Sequence, residues 1–306
     1  MRKTAVVIAV ALSSGSVIAH EVDFKNYFSG VNADKESVII SQDSDDTDVW
    51  ILQNGERQQS VVDIKGTAQA GNDNDVTVRQ FGYSNDSLIK IKEASGGNDV
   101  TVVQRGSSQD SRVELEGDAD HNLVVVRQRN ALGRDDSWSD VKIDAGDDNK
   151  VRVNQTGTNS HSDIHILGNM SDNNRIRIAQ DGNNNDSDVT VNEGASNRIS
   201  VTQTQNQHKS DIDVDGSFNR ISLTQSDIIV GKGHDSDIDL TSNSNNNSIE
   251  VTQQGLLSNK SIISLVNSSG NNGVLSAGIS VTQTGHDYSS IQLTNSNNGT
   301  YTVTQN

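Results

Sequence analysis

The 306-residue sequence is acidic and poor in apolar side chains, with 31% hydrophobic residues, 3% aromatic residues and a formal charge of −17. This composition excludes one broad globular core, and without further pattern it would be typical of a disordered chain. The absence of cysteine excludes disulfides and thiolate metal sites, and the absence of proline leaves each backbone N–H able to join a β-ladder.

Residues 1–19 have the organisation of a secretory signal peptide. A basic start and an apolar run from Ala5 to Leu12 precede small residues and a cleavage point after Ala19. We therefore expect the chain to be exported. Residues 20–36 are relatively aromatic and show no repeat, and they form a leader segment that either packs over the first repeat or is recognised during export.

From residue 37 to residue 306 the chain is a tandem array with a period of about 25 residues. An A strand runs from an Asn to a Gln six positions later, as in Asn197–Gln203, and a B strand has the pattern Ser-x-apolar-x-apolar, as in Ser210–Val214. Since strand side chains alternate, each run has one apolar face. About ten such strand-turn-strand repeats predict an all-β, two-sheet β-solenoid, a cross-β stack with like strands about 4.8 Å apart.

The turns between A and B strands are rich in residues that tolerate positive φ. Glycine often lies two positions after the Gln, as at Gly82 and Gly182, and Asn and Asp fill the remaining turn positions. Each A strand is therefore expected to reverse tightly into its B strand.

Several repeats resemble the curlin repeat, in which Ser or Asn, five residues and Gln-x-Gly lead through a short turn to a second strand. The matching segments are 74–87, 197–205 and 247–255, and the resemblance covers about residues 37–306. It implies a secreted subunit of curli, the bacterial surface amyloid of adhesion and biofilm matrix. It also implies an extracellular location, with further copies of the chain, other curlin subunits and the curli outer-membrane secretion machinery as partners.

Two features depart from the curlin pattern. The B strands do not close with Gln, so the second Gln ladder of a curlin is missing. The chain is also longer and more acidic than a five-repeat subunit, and its leader is aromatic and charged instead of Gly-rich. The resemblance therefore leaves the main fibre subunit and a minor, nucleating subunit as alternatives.

We predict that inward Asn and Gln side chains form self-assembly ladders, because stacked amides in cross-β structures bond to their copies in the next layer. The predicted ladder residues are Asn74, Gln80, Asn98, Gln104, Asn122, Gln128, Asn149, Gln155, Asn174, Gln180, Asn197, Gln203, Asn219, Gln225, Asn247, Gln253, Gln283 and Gln305. The final A strand, with Tyr301, Val303 and Gln305, is expected to form a fibre-end edge that templates another copy.

The outward faces differ in charge, with Arg and Lys on A strands and Asp and Glu on B strands. Solvated faces screened by salt are one interpretation. The alternatives are lateral bundling of fibres through opposite faces and divalent cations that bridge the acidic face.

Other functional classes have weaker support. No nucleophile elbow, P-loop or H-E-x-x-H motif is present, so we predict no enzyme, no catalytic residue, no cofactor and no metal site. The net charge disfavours nucleic acid as a partner. The remaining alternative is a monomeric β-solenoid that binds ice or another surface through its charged faces or a Thr-lined face. The Thr residues are Thr202, Thr224, Thr252, Thr282, Thr300, Thr302 and Thr304.

Overall fold

The computed structural model describes residues 35–42, 48–65, 73–92, 96–117, 119–130, 136–168, 171–227, 233–241, 245–255, 258–265, 278–292 and 300–306. The predicted signal peptide and nearly all of the predicted leader lie outside these residues. In the described parts of the chain, no helix is long and apolar enough to span a bilayer.

The described residues form two parallel sheets of eleven strands each. The B sheet contains, in spatial order, β1 (Lys35–Gln42), β3 (Gln58–Lys65), β5 (Asp86–Ile91), β7 (Gln109–Leu115), β9 (Ser137–Asp140), β11 (His161–Ser162), β13 (Asp186–Ser187), β15 (Lys209–Ser210), β17 (Asp235–Asp237), β19 (Lys260–Ile262) and β21 (Tyr288–Ser290). The A sheet contains β2 (Asp48–Glu56), β4 (Asp75–Tyr83), β6 (Asp99–Ser107), β8 (Leu123–Arg129), β10 (Lys150–Thr156), β12 (Arg175–Asp181), β14 (Arg198–Thr204), β16 (Arg220–Asp227), β18 (Ser248–Gly255), β20 (Gly278–Gln283) and β22 (Thr300–Gln305).

The chain alternates between the sheets, so each A strand and the following B strand form one rung of a solenoid. Equivalent positions pair in register, as Ile176↔Ile199 and Gln180↔Gln203 do between β12 and β14. The alternating Val, Ile and Leu side chains of both sheets are buried in one continuous core between them. The predicted two-sheet β-solenoid is confirmed.

The B sheet differs from the predicted one in two respects. It contains one strand more than the ten predicted, because β1 precedes the first A strand and pairs Ser37 with Ser60. From β11 onward its strands contain only two or three residues. In the β11 rung, Ile166 and Leu167 have positive φ (67° and 60°), which takes the backbone out of the regular ladder although Ile166 stays buried.

Glycine is required at several of the turns because neighbouring rungs approach closely there. Gly157 has φ of 130°, and a Cβ at this position would lie 1.7 Å from the carbonyl oxygen of Gly182 in the next rung. No side chain fits at that distance. The Gln-x-Gly spacing in the sequence therefore reflects backbone-to-backbone stacking as well as conformational freedom.

Candidate functional site

A continuous chain of side-chain amides, the Gln column, runs through the A sheet. It consists of Gln53, Gln80, Gln104, Gln128, Gln155, Gln180, Gln203, Gln225, Gln253, Gln283 and Gln305. Each Nε2 donates to the Oε1 of the next rung, and the ten distances lie between 2.8 and 3.1 Å. All ten bonds have the same polarity.

The second N–H of these amides ties the two sheets together. Gln180 Nε2 also donates to the carbonyl of His161, at 2.7 Å, and Gln225 Nε2 donates to the carbonyls of Lys209 and His234, at 2.7 and 3.0 Å. These carbonyls lie at the start of the B strands. These amides therefore bond both along the stack and to the starts of the B strands, which joins the two sheets at this margin.

The predicted Asn residues form a second, differently built column: Asn74, Asn98, Asn122, Asn149, Asn174, Asn197, Asn219 and Asn247. Each Oδ1 accepts the backbone N–H of the next Asn, at 2.8 to 3.1 Å. Amide-to-amide bonds occur at some steps, such as Asn98 Nδ2 to Asn74 Oδ1 at 3.1 Å. The column thus depends mainly on side-chain acceptors for backbone donors, and the mutual amide exchange predicted from sequence is concentrated in the Gln column.

A third column, the turn column, was not identified from the sequence. It lies two residues before each B-strand Ser and consists of Gln58, Asn85, Gln109, Ser137, Ser160, Asn185, His208, His234, Asn259 and Asp287. Several of its side chains accept backbone N–H groups of the next rung, as Asn185 Oδ1 does from His208 N at 3.1 Å, whereas the hydroxyl of Ser160 donates to the carbonyl of Gly182. The signal available in the sequence was the constant spacing to the Ser, but the variable residue type hides it.

Two histidines take the place of Asn in the turn column. His208 Nδ1 accepts the N–H of His234 at 3.0 Å, and His234 Nδ1 accepts the N–H of Asn259 at 3.1 Å. The Nε2 atoms face the carbonyls of Thr204 and Ser226, at 2.8 and 3.2 Å. Burial lowers the pKa of both imidazoles. The contacts therefore specify neutral rings with the proton on Nε2.

Asp227 completes a buried cluster with these histidines. Its Oδ1 lies 3.2 Å from His234 Nε2 and its Oδ2 lies 3.9 Å from His208 Nε2, with all three side chains fully buried. One potential ligand atom from each residue lies within 4.8 Å of the others. A metal at this cluster would need the lone pair of each Nε2. Because each Nδ1 accepts a backbone N–H, however, the proton of each neutral ring lies on Nε2, and that lone pair is not available. A metal-ligating His normally donates from its other ring nitrogen, so this donor set does not fit a metal.

The predicted fibre-end residues lie in β22 at one edge of the A sheet. Tyr301 and Val303 are only partly buried, whereas their partners Ile279 and Val281 in β20 are 2% and 0% exposed. Gln305 accepts from Gln283 at 3.0 Å and donates to the carbonyl of Tyr288 at 3.0 Å. This edge continues the inward pattern of the stack but leaves its apolar side chains half covered.

The fold and its polar columns define a parallel two-sheet β-solenoid with identical inward amides stacked in register. Residues 71–106 and 171–204 match the family model of the curlin associated repeat. The array therefore carries curlin-type repeats, and the resemblance to the curlin family is confirmed. The family is one of structural amyloid subunits. No curated protein matches the chain at a significant level.

Proposed function

We propose that this protein is a secreted structural subunit of curli-like extracellular amyloid fibres on the bacterial surface, where it serves cell adhesion and the biofilm matrix. The observation that carries the proposal is the Gln column, in which one bond of one polarity repeats through ten steps. A stack built in this way accepts an identical rung without a change of chemistry. Its end is therefore suited to receive another copy of the chain.

The strand order supports a specific joint between two copies. Among the described strands, β22 forms half a rung at one end of the A sheet, and β1 forms half a rung at the opposite end of the B sheet. When the β1 end of one copy stacks on the β22 end of another, these two strands complete one shared rung. Gln53 of the added copy then follows Gln305, so the donor-to-acceptor polarity of the Gln column continues across the joint.

The partners proposed for the chain are copies of itself, other curlin subunits and the curli outer-membrane secretion machinery. These partners rest on the curlin-type repeats and on the predicted signal peptide. The chain acts either as the main fibre subunit or as a minor nucleating one. Seeding separates the two roles, because a nucleator accelerates fibre growth of a main subunit at small molar ratios.

The proposal is tested by growth from the β22 edge. The variant Tyr301→Lys/Val303→Lys places charges at the partly buried inward positions, and the control Thr302→Lys/Thr304→Lys places the same charges on the outward face of the same strand. We expect micromolar samples of the parent and control to give amyloid-dye fluorescence and reflections near 4.7 and 10 Å. The inward variant should elongate at least about tenfold more slowly, since each buried unpaired charge costs several kcal/mol. Equal growth of both variants would exclude this edge as the joint.

A second candidate function rests on the Thr side chains of the A sheet. Thr202, Thr224, Thr252, Thr282 and Thr304 pair in sequence on one outward face. A regular Thr array on a persistent monomer is suited to binding an ordered surface such as ice. Thermal hysteresis from a monomeric sample, with loss of the effect when Thr224 and Thr252 become Lys, would favour this function over a fibre subunit.

A further inference from the structure

A row of cations, the basic column, crosses four consecutive rungs on the outer face of the A sheet. Lys150, Arg175, Arg198 and Arg220 begin β10, β12, β14 and β16 and pair directly with one another. All four side chains are exposed. Among the described residues, none of them has a carboxylate within 4.0 Å. Because like charges in adjacent strands repel, this row of four cations would be stabilised by a counter-charge from outside the described residues.

A row of anions, the acidic column, crosses the same four rungs on the outer face of the B sheet. Asp163, Asp188, Asp211 and Asp237 each follow a B-strand Ser, and backbone bonds such as Asp163 N to Ser187 O (2.9 Å) keep them stacked. Partial burial, and then the charge of a neighbouring Asp, raise the pKa of Asp188, Asp211 and Asp237. The Asp side chains of this column therefore repel one another, and Asp163 has a neighbouring His165, whose Nε2 lies 3.0 Å from its Oδ1.

The two columns lie at opposite margins of the solenoid. Asn174, at the start of an A strand, donates to the carbonyl of Gly194, which follows the B-strand run of its rung. Gln180, at the end of that A strand, donates to the carbonyl of His161 at the start of a B strand. The basic column at the start of the A strands and the acidic column at the start of the B strands thus occupy different margins as well as different faces.

From this placement we infer that a second copy of the chain lays its acidic column on the basic column, with the two solenoid axes antiparallel. A parallel neighbour would place the columns at opposite margins. Rotating the second copy by 180° about the normal to the A sheet brings its acidic column to the same margin as the basic column. The same rotation reverses the order of its four rungs. The facing pairs are then Lys150–Asp237, Arg175–Asp211, Arg198–Asp188 and Arg220–Asp163.

The charges of the two columns have the same spacing along the solenoid axis. Both belong to the same rungs, so cations and anions recur at the same interval of about 4.8 Å. Each copy keeps one free basic and one free acidic face, so the contact adds copies sideways into sheets of antiparallel solenoids. The inference deepens the proposed fibre function, but it concerns the sides of the solenoid and is independent of the end joint.

Charge reversal tests the contact. The basic-column variant is Arg175→Glu/Arg198→Glu/Arg220→Glu, and the acidic-column variant is Asp188→Lys/Asp211→Lys/Asp237→Lys. The control is Arg79→Glu/Arg105→Glu/Arg127→Glu, which makes the same charge change elsewhere on the A sheet. All are surface changes, and circular dichroism checks the fold. Fibre width in electron micrographs reports lateral contact, whereas fibre length reports end joining.

We expect each column variant alone to form single fibres, and an equimolar mixture of the two to recover wide bundles. The control variant should bundle like the parent, and about 0.5 M NaCl should separate parent bundles by screening. Bundling of both variants alone would overturn the inference. Bundles that disperse in EDTA but not in salt would also overturn it, because they would show bridging by divalent cations. Bundles that form only with added polyglutamate would overturn it as well, because they would show that the partner is a polyanion.

Orientation is tested by cross-linking, because the chain contains no cysteine. Single-cysteine variants at Arg220 and Asp163 should join through a bis-maleimide of about 10 Å, the distance between packed sheets. Cysteines at Arg220 and Asp237 lie about 14 Å further apart along the axis in the antiparallel contact, and they should join at least fivefold less. Equal or reversed yields would exclude antiparallel packing, even if charge reversal abolishes bundling.

Discussion

The Gln column and the turn column border the same turns, yet one is chemically uniform and the other is mixed. The Gln column has the same residue at all eleven positions, and each amide bonds to its copy and to a B-strand carbonyl. The turn column contains Asn, Gln, Ser, His and Asp. Several of its members offer an acceptor to the next backbone N–H, as Asn185 Oδ1 and His208 Nδ1 do.

The difference shows which position needs an exact side chain. A Gln must donate twice and accept once within a buried site, and no other side chain of similar length does this. A backbone N–H needs only one acceptor at the right place. Repetition of residue type is therefore a measure of how many hydrogen-bonding roles a column position carries, and substitutions can test that relation.

The largest loss is expected from Gln180→Glu, which keeps the shape of the side chain but removes its donors. The carboxylate would face Gln203 Oε1 and the carbonyl of His161, which now accept at 2.9 and 2.7 Å. We expect the free energy of unfolding, measured by denaturant titration, to fall by roughly 3 to 5 kcal/mol, since two buried acceptors lose their donors and a charge is buried.

Asn154→Asp is the matched control, because Asn154 is adjacent to the Gln column but lies on the outward side of β10. The same amide-to-acid change there should cost under about 0.5 kcal/mol. Similar losses in both variants would show that charge alone, and not the donor roles of the Gln column, causes the effect.

The next largest effect is a loss of stability on acidification caused by His208 and His234. Burial lowers the pKa of both rings in the folded state, so below the unfolded value of 6.5 the unfolded chain binds protons that the folded chain does not. Their contribution is complete above pH 6.5 and decreases toward the folded pKa. The slope should approach about 1.4 kcal/mol per pH unit for each His.

The double variant His208→Asn/His234→Asn isolates this slope, because Asn occupies the neighbouring turn-column positions 185 and 259. Aspartates with raised pKa values, such as Asp86 with a pKa of about 6, change stability in the opposite direction and are common to both proteins. The difference between parent and variant stability should therefore depend on pH below 6.5. A constant difference would contradict neutral Nδ1 acceptors at these positions.

A smaller loss is expected from Asn149→Asp in the Asn column. Asn149 Oδ1 accepts the N–H of Asn174 at 2.8 Å, whereas its buried Nδ2 has no hydrogen-bond partner among the residues that the structure describes. The change keeps the acceptor, so its cost should be about 1 to 2 kcal/mol. Asn174→Asp is the paired variant, since it also removes the donor to Gly194 at 2.8 Å. Thermal melts should rank it clearly lower, and an inverted order would refute the acceptor-based account of this column.

The smallest effect is a gain from Ser160→Asn in the turn column. Ser160 is buried, and its Oγ lies 3.3 Å from the carbonyl of Gly182. An Asn there would reproduce the acceptor that Asn185 offers to the next rung. Stability to urea should rise by about 0.5 to 1 kcal/mol. Ser160→Ala is the control and should not rise, and a gain in both variants would point to removal of the hydroxyl instead.

Much of the fold was predictable because the array repeats both its period and its residue parity. The alternation in Asn197–Gln203 identifies an inward face, and its recurrence specifies parallel stacking in register. The extra strand β1 escaped prediction because residues 35–42 precede any complete A–B repeat. The turn column was not predicted because residues as different as Ser160 and His208 occupy this position of the repeat.

Period and residue parity along the chain specify the two-sheet solenoid, the buried apolar stripe and the inward Asn and Gln positions, since strand geometry converts them directly into layers. The folded arrangement alone specifies the bond directions, the proton position on His208 and His234, and the burial of Asp227 beside them. It also places the basic and acidic columns on the same rungs but at different margins. These properties depend on which atoms of neighbouring rungs come within about 3 Å, a distance that residue spacing along the chain does not specify.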